Sequence, residues 1–353
     1  MRIGIPVEIK PKEGRVALVP PAAGELVAAG HQVWVETGAG RGSGYSDSDF
    51  EAQGVRIAAD AGDLYARARM ILKVKEPIGS EYELLRRDHL LFCFLHLAAL
   101  PELAGVLSGR GLRAVAFETV AEHGGLPILA PMSAIAGRLA AQIGATLLHR
   151  HNGGRGVMLG GLPAADRGHV VVLGAGNVGL NAAGVAAAMG ARVTVLSQGP
   201  DSLLRAHRVG PNVTALPAYA ELVRESVRDA DLLVGAVLVA GARAPRIVNR
   251  EMVREMKPGS VIVDVSVDQG GCVETTRPTT YEDPTYLVDE VVHFGVTNIP
   301  GAVPRTSSQA LSSVLVPYVL RLASGAADAV LDEATNVQGG EIVHPAVRDA
   351  LCG

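Results

Sequence analysis

Residues 170–191 read VVVLGAGNVGLNAAGVAAAMGA. A β-branched run stops at Gly174, then Gly176 and Gly179 follow in the spacing G-x-G-x-x-G, and an alanine-rich stretch without a charged residue comes after. That order predicts a buried strand, a tight turn and a helix. In such a unit Gly174 permits the turn, Gly176 lets the backbone approach a pyrophosphate, and Gly179 allows the helix to pack closely on the strand. Val178 belongs to the same cofactor-binding turn, and the first N–H groups of the helix, at the positive end of its dipole, face the phosphates. The run ARVTVLS (191–197) supplies a second strand, so strand, helix and strand together predict a dinucleotide site.

The end of that second strand departs from the usual pattern. An acidic residue about 20 positions beyond the last glycine ordinarily holds the adenine ribose, but Ser197 occupies the place. A serine cannot accept both ribose hydroxyls as a carboxylate does, and it does not repel a 2′-phosphate. Asp201 follows four residues later as a possible substitute or helix N-cap, and Arg205 and Arg208 stand beyond it. NAD is the expected cofactor, and NADP is allowed.

Outward from this unit, short apolar runs alternate with amphipathic, alanine-rich stretches. RIGIPVE (2–8), HQVWVET (31–37), MILKVKE (70–76), LLFCFLH (90–96) and LRAVAFE (112–118) are strand candidates before it. ADLLVGAV (230–237) and GSVIVDVS (259–266) follow it. Helical stretches such as PPAAGELVAAG (20–30) and PELAGVLSGRG (101–111) close on a glycine suited to a left-handed C-cap. The rhythm predicts an α/β protein with mainly parallel sheets covered by helices. A long helical run, PMSAIAGRLAAQIGATLLHRH (131–151), reads as a connection between two domains, and TSSQALSSVLVPYVLRLAS (306–324) as a helix interrupted by Pro317. The expected architecture is two Rossmann-like domains with the dinucleotide domain inserted into a substrate domain and a cleft between them. Residues 1–128 form the substrate domain's N-terminal part, 129–300 the dinucleotide domain, and 301–353 the C-terminal helices that return to the first.

The chain has 353 residues, 48% hydrophobic and 19% charged, with a formal net charge of −4. These values fit a globular enzyme with a large core and offer no basic footprint for nucleic acid. Cys93, Cys272 and Cys352 show no C-x-x-C spacing, which suggests a reducing compartment. No apolar run reaches the ~20 residues of a membrane span, and the N-terminus lacks an apolar signal region. A cytoplasmic protein without a metal is expected.

Several other residues invite a chemical reading. Arg15 follows the loop PKEG; such a cation is ordinarily solvated. Lys73 and Lys75 alternate with Val74 in MILKVKE, where two buried lysines would need partners; the alternative is a strand end emerging into solvent before Pro77. His96 closes LLFCFLH, at the carboxyl end of a strand where α/β proteins bind ligands, and histidine titrates near neutrality; it is otherwise a structural residue. Asp268 precedes Gln-Gly-Gly after a strand, as turn residues commonly do, and Asp264 within the strand reads as a buried structural acid.

The stretches MRIGIPVEIKPKEGRVALVP, MILKVKEP, LFCFLHLA, GGRGVMLGG, LAPMSAIAGRLAAQIGA, VDVSVDQGGCVETTRPTTYEDPTY and NIPGAVPRTSSQAL closely resemble the alanine dehydrogenase family, to about residue 324. The resemblance implies reversible conversion of alanine, water and NAD to pyruvate, ammonium and NADH, usually by a homohexamer. It makes Arg15 a carboxylate ligand and Lys75 the lysine that contacts carboxylate and keto oxygen, with Lys73 structural. It makes His96 a general acid/base and places Asp268 beside the nicotinamide and the substrate nitrogen, sharing the proton work. Asn298 lines the nicotinamide and substrate pocket, Met132 and Ser133 approach the nicotinamide and pyrophosphate, and Glu118 is a supporting hydrogen-bond acceptor. The family generally carries Asp at the position of Ser197 and commonly Met at that of Ile299. A dehydrogenase for a related small amino acid is one alternative. A transhydrogenase-type NAD-binding subunit and a silent NAD-binding module are the others; retention of Arg15, Lys75 and His96 together argues against both.

Overall fold

The computed structural model describes residues 1–237 and 244–352, with the side chain of Cys352 and all of Gly353 outside the described part. The described chain divides into two compact units, one of Met1–Met132 with Gly301–Gly353 and the other of Ser133–Pro300. Among the described residues no helix is long and apolar enough to cross a membrane.

The first unit holds β1 (Arg2–Ile5), β2 (Gln32–Glu36), β3 (Arg56–Ala58), β4 (Met70–Leu72), β5 (Leu90–Cys93) and β6 (Arg113–Ala116). The second holds β7 (His169–Leu173), β8 (Arg192–Ser197), β9 (Val213–Pro217), β10 (Leu232–Gly235), β11 (Val261–Asp264), β12 (Thr285–Val288) and β13 (Val291–Phe294). β14 (Thr335–Gln338) and β15 (Glu341–Ile342) come from the C-terminal segment of the first unit.

The first sheet runs β15-β14-β6-β5-β4-β1-β2-β3. β1 to β6 are parallel, and β14 pairs antiparallel with β6. The second runs β12-β13-β11-β10-β7-β8-β9, parallel except for β12 on β13. Among the parallel strands of each sheet the order reverses direction once, between β1 and β4 in the first and between β7 and β10 in the second. Ligands of open α/β sheets bind beyond the carboxyl ends of the strands at such a reversal.

The strand HVVVL at β7 is buried along its whole length. Alternation sends Val170 and Val172 to one apolar cluster and Val171 and Leu173 to another, on opposite faces of the sheet. The first cluster is filled by alanines of the helices Leu129–Leu147 and Asn177–Ala188, which explains how a chain with few aromatics closes its core.

Two expected element ends change. MILKVKE and LLFCFLH are strands only to Leu72 and Cys93, so Lys75 and His96 stand three residues beyond their strands rather than within them. The Pro304–Ser324 helix is not interrupted by Pro317. Proline removes one backbone donor, but burial of Leu311, Leu315, Tyr318, Val319 and Leu322 along one stripe holds the helix through it.

Candidate active site

The residues singled out in the sequence fall on both units. Arg15, Lys75, His96 and Met132 belong to the first; Ser133, the glycine turn, Ser197, Asp268 and Asn298 belong to the second.

In the first unit, the loops after β1, β4, β5 and β6 carry the charged groups. Glu8, in the loop after β1, is the organiser. Its carboxylate accepts from the backbone N–H of Val74 (2.6 Å) and Lys75 (3.3 Å) and lies 3.3 Å from the Lys73 ammonium. These contacts turn the chain at Leu72 and account for the early end of β4. Lys73 is fully buried and also pairs with Glu81 at 2.7 Å, which accepts from the Tyr65 hydroxyl. Burial opposes the charge on Lys73, but the carboxylates of Glu8 and Glu81 outweigh it and hold its pKa above the usual lysine value. Lys75, by contrast, is half-buried. The two lysines therefore differ through the bend and not through strand alternation.

Arg15 is buried, not a solvated loop cation. Its Nε and Nη2 donate to the two oxygens of Glu13, at 2.7 and 2.5 Å, and Nη1 lies 3.4 Å from the Met132 sulfur. Glu13 thus fixes the plane of the guanidinium fork, and Met132 lines its remaining edge.

His96 adopts a left-handed backbone conformation with φ 51°. A non-glycine residue there carries roughly 1–2 kcal/mol of strain. Glu118, after β6, compensates by accepting from the N–H of His96 (2.6 Å) and of Leu95 (3.2 Å). The ring stacks against Phe94 at 5.8 Å, and its side chain is 44% exposed. Nδ1 lies 3.8 Å from Oε2 of Glu76, beyond hydrogen-bond length. Glu76 is buried and ion-paired with Lys10 through its other oxygen. Burial alone would raise the Glu76 pKa, but the neighbouring His96, Lys10 and Lys75 bring it down to about 2. Glu8, Glu13 and Glu76 were not marked by the sequence, where each reads as a solvated acid near a lysine or arginine.

The second unit builds its half around the glycine turn. Gly174 has φ +99°, and a Cβ there would meet the Ala236 carbonyl at 2.5 Å. A Cβ on Gly179 would stand 1.9 Å from the Gly174 carbonyl, whereas Gly176 faces open space. Gly176 is also the N-cap of the Asn177–Ala188 helix, which has no side-chain cap, so its first N–H groups are left to another acceptor. Val178 is half-buried, and its carbonyl lies close under Gly137 of the Leu129–Leu147 helix, which also carries Ser133. This turn fits a pyrophosphate.

At the end of β8, the Ser197 hydroxyl donates to Ser202 Oγ at 3.0 Å. Asp201 is exposed in the first turn of the Pro200–His207 helix; the N-cap is Gly199, so Asp201 is not the cap. Arg205 and Arg208 are exposed near that helix's far end. Asp268 is exposed in a short 3-10 turn after β11, and Asp264 shapes that turn. The buried Asp264 carboxylate accepts from Ser266 N (3.0 Å), Cys272 N (2.9 Å) and Thr276 Oγ1 (2.8 Å). Asn298 is half-buried with φ 58°, a conformation asparagine tolerates, and the neighbouring Ile299 is buried in the apolar core. A cavity of about 870 Å³ lined by Arg155, Arg167, Arg192, Asp231 and Lys257 opens instead near the amino ends of β8, β10 and β11. That edge is opposite to the glycine turn, so it is not the dinucleotide site.

Comparison with known proteins covers both units. A family model described as alanine dehydrogenase/PNT, N-terminal domain, matches residues 4–136, and its C-terminal-domain counterpart matches residues 140–345. An alanine dehydrogenase of Bacillus subtilis is 47% identical over 99% of this chain and 95% of its own. A solved L-alanine dehydrogenase superposes with a TM-score of 0.96 at 47% identity, covering 100% of this chain and 99% of that one. A transhydrogenase from Sinorhizobium meliloti superposes with a TM-score of 0.86 at 26% identity, covering 97% of this chain and 100% of that one.

Proposed function

The chain belongs to the alanine dehydrogenase/PNT family, and on that premise we propose that it interconverts alanine with pyruvate and ammonium using a nicotinamide dinucleotide. Similarity to alanine dehydrogenases along nearly the whole chain carries this reading. The retention of Arg15, Lys75 and His96 beyond the carboxyl ends of one sheet, and of the open glycine turn in the other unit, supports it.

Gly174, Gly176, Val178 and Gly179 hold the pyrophosphate, Ser197 meets the adenine ribose, and Met132, Ser133 and Asn298 line the nicotinamide end. When bound, the dinucleotide supplies and removes the hydride. Charge and protons are left to the chain. Arg15 takes the substrate carboxylate along the edge of its fork that faces Met132, with Glu13 holding the plane of the guanidinium. Lys75 places an ammonium at the keto oxygen and stabilises the negative charge that grows there when ammonia adds to the carbonyl carbon. That oxygen needs two protons to leave as water: one comes from the added nitrogen by way of Asp268 and the other from His96, which recovers its proton from water in the reverse direction. Asp268 accepts and returns a proton at the substrate nitrogen. NAD is the cofactor, with NADP admitted because Ser197 brings no negative charge to the ribose. We also assign a cytoplasmic location and a homo-oligomer, a hexamer, checked by fractionation and analytical ultracentrifugation. A related small amino acid is the second reading, since Ile299 departs from the family's commoner Met.

Purified protein mixed with pyruvate, ammonium and NADH or NADPH should consume reduced cofactor, followed by absorbance. Silence with pyruvate, glyoxylate and 2-oxobutyrate under both cofactors would overturn the assignment.

A further inference from the structure

We propose that Glu76 is a positioning residue for His96: its Oε2 accepts from Nδ1–H of the imidazole and so turns Nε2 to the reacting oxygen. The inference rests on the dehydrogenase reading above for what Nε2 does, but its geometry stands apart from it.

Three observations carry it. Oε2 of Glu76 is buried and, among the described residues, has no hydrogen-bond partner. Buried carboxylate oxygens are nearly always satisfied. His96 Nδ1 lies 3.8 Å from this oxygen, so a small rotation of the ring brings the pair to hydrogen-bond length. Phe94 stacks on the face of the ring and Glu118 holds the backbone N–H of His96, so both the ring and its main chain have fixed neighbours beside Glu76. The His96 side chain is 44% exposed, whereas that of Glu76 is buried. A carboxylate on one ring nitrogen is the general device by which proteins choose which nitrogen carries the proton.

The other oxygen of Glu76 is tied to Lys10, so the carboxylate cannot swing to follow the ring. The imidazole must come to it. The charged and titratable groups around this pair are Lys10 from the loop after β1, Lys75 beside Glu76 after β4, Tyr82, Cys93 at the end of β5, Glu118 after β6 and His344, whose titration feels Glu118, ahead of the last helix. None of these presents an acceptor to the ring in the described contacts; Glu76 does.

Two measurements test the proposal. The first uses protein labelled with 15N at histidine, with Glu76→Gln beside the unmodified chain and His96→Asn to identify the signal. The unmodified chain should show His96 protonated at Nδ1 in its neutral form, and Glu76→Gln should lose that preference. The same tautomer in both overturns the proposal, whether or not the protein turns over pyruvate. The second is the pH profile of kcat/KM for pyruvate amination, with cofactor binding measured alongside. Glu76→Gln should lower kcat/KM by about tenfold or more and move the limb that reports the proton donor to lower pH, with cofactor affinity kept. Glu76→Asp, which keeps the charge and shortens the reach, should fall between the two. Superimposable profiles for Glu76→Gln and the unmodified chain overturn the proposal while leaving the dehydrogenase assignment standing. A protein in which the unmodified chain is silent overturns the assignment instead, and the tautomer still decides the role of Glu76.

Discussion

Gly176 and Gly179 lie three residues apart in one turn, yet substituting each by alanine should have opposite consequences. At Gly176 the backbone is extended (φ −83°, ψ −169°), and an added Cβ meets nothing within 4 Å. Alanine gains some stability by restricting the unfolded chain, about 0.4–1 kcal/mol, and loses a similar amount because it is a poorer N-cap than glycine. Gly176→Ala should therefore melt within about 2 °C of the unmodified protein. If the pyrophosphate runs over this glycine, the new methyl occupies its path, and the dinucleotide Kd should rise by about tenfold or more, the equivalent of about 1.4 kcal/mol. At Gly179 the added Cβ would stand 1.9 Å from the Gly174 carbonyl, which belongs to the same turn and is backbone. That overlap forces the helix off the strand, at a cost of about 1–3 kcal/mol or more, so Gly179→Ala should melt several degrees lower. Calorimetry and cofactor titration separate the two. A Gly176→Ala protein that binds the dinucleotide with unchanged affinity would refute the placement of the pyrophosphate on this turn.

The ribose end, the buried lysine and the acid side of stability give three more expectations. Ser197→Asp should worsen NADP use by on the order of tenfold or more, since it restores a charge that repels a 2′-phosphate; if the unmodified protein already rejects NADP sharply, Asp201 is the group to replace next. Lys73→Met leaves Glu8 and Glu81 buried without their counter-ion and should destabilise the fold by about 3–5 kcal/mol, with a change under about 1 kcal/mol in denaturant titrations showing that the carboxylates are protonated instead. The Glu76 pKa of about 2 lies below its ordinary value of 4.5, so its contribution is present above pH 4.5 and is lost as the pH falls toward 2. That contribution is about 3 kcal/mol at most. The stability gap between the unmodified chain and Glu76→Gln should accordingly narrow between pH 5 and pH 3, and a gap that stays constant would contradict it.

The parts of this protein that could be read in advance are those whose cause lies within a few residues. The glycine turn is one, because strand, glycines and helix follow each other directly and Gly174 and Gly179 answer local steric needs. The roles proposed for Arg15, Lys75 and His96 rest on long motifs and not on their surroundings. Their surroundings were hidden because the partners are remote: Glu8 shapes the bend at Lys75 from 66 residues away, and Glu118 holds His96 from 22. Alternation in MILKVKE predicts a strand continuing through the lysines, and a carboxylate from another loop overrides it. Pro317 misled in the same way. A local helix breaker was outweighed by burial that only the folded unit provides.

β6 reaches its antiparallel neighbour β14 only after roughly 220 further residues have been made. At a synthesis rate of about 5–20 residues per second, that edge of the first sheet waits some 10–40 s on the ribosome. The unit of Ser133–Pro300 is a single continuous segment and is complete before the wait ends. The order of synthesis thus finishes the Ser133–Pro300 unit first and leaves the other with an open strand edge, the kind of surface that recruits other chains. Chains released from the ribosome after residue 300 should yield a protease-resistant fragment of the second unit and none of the first.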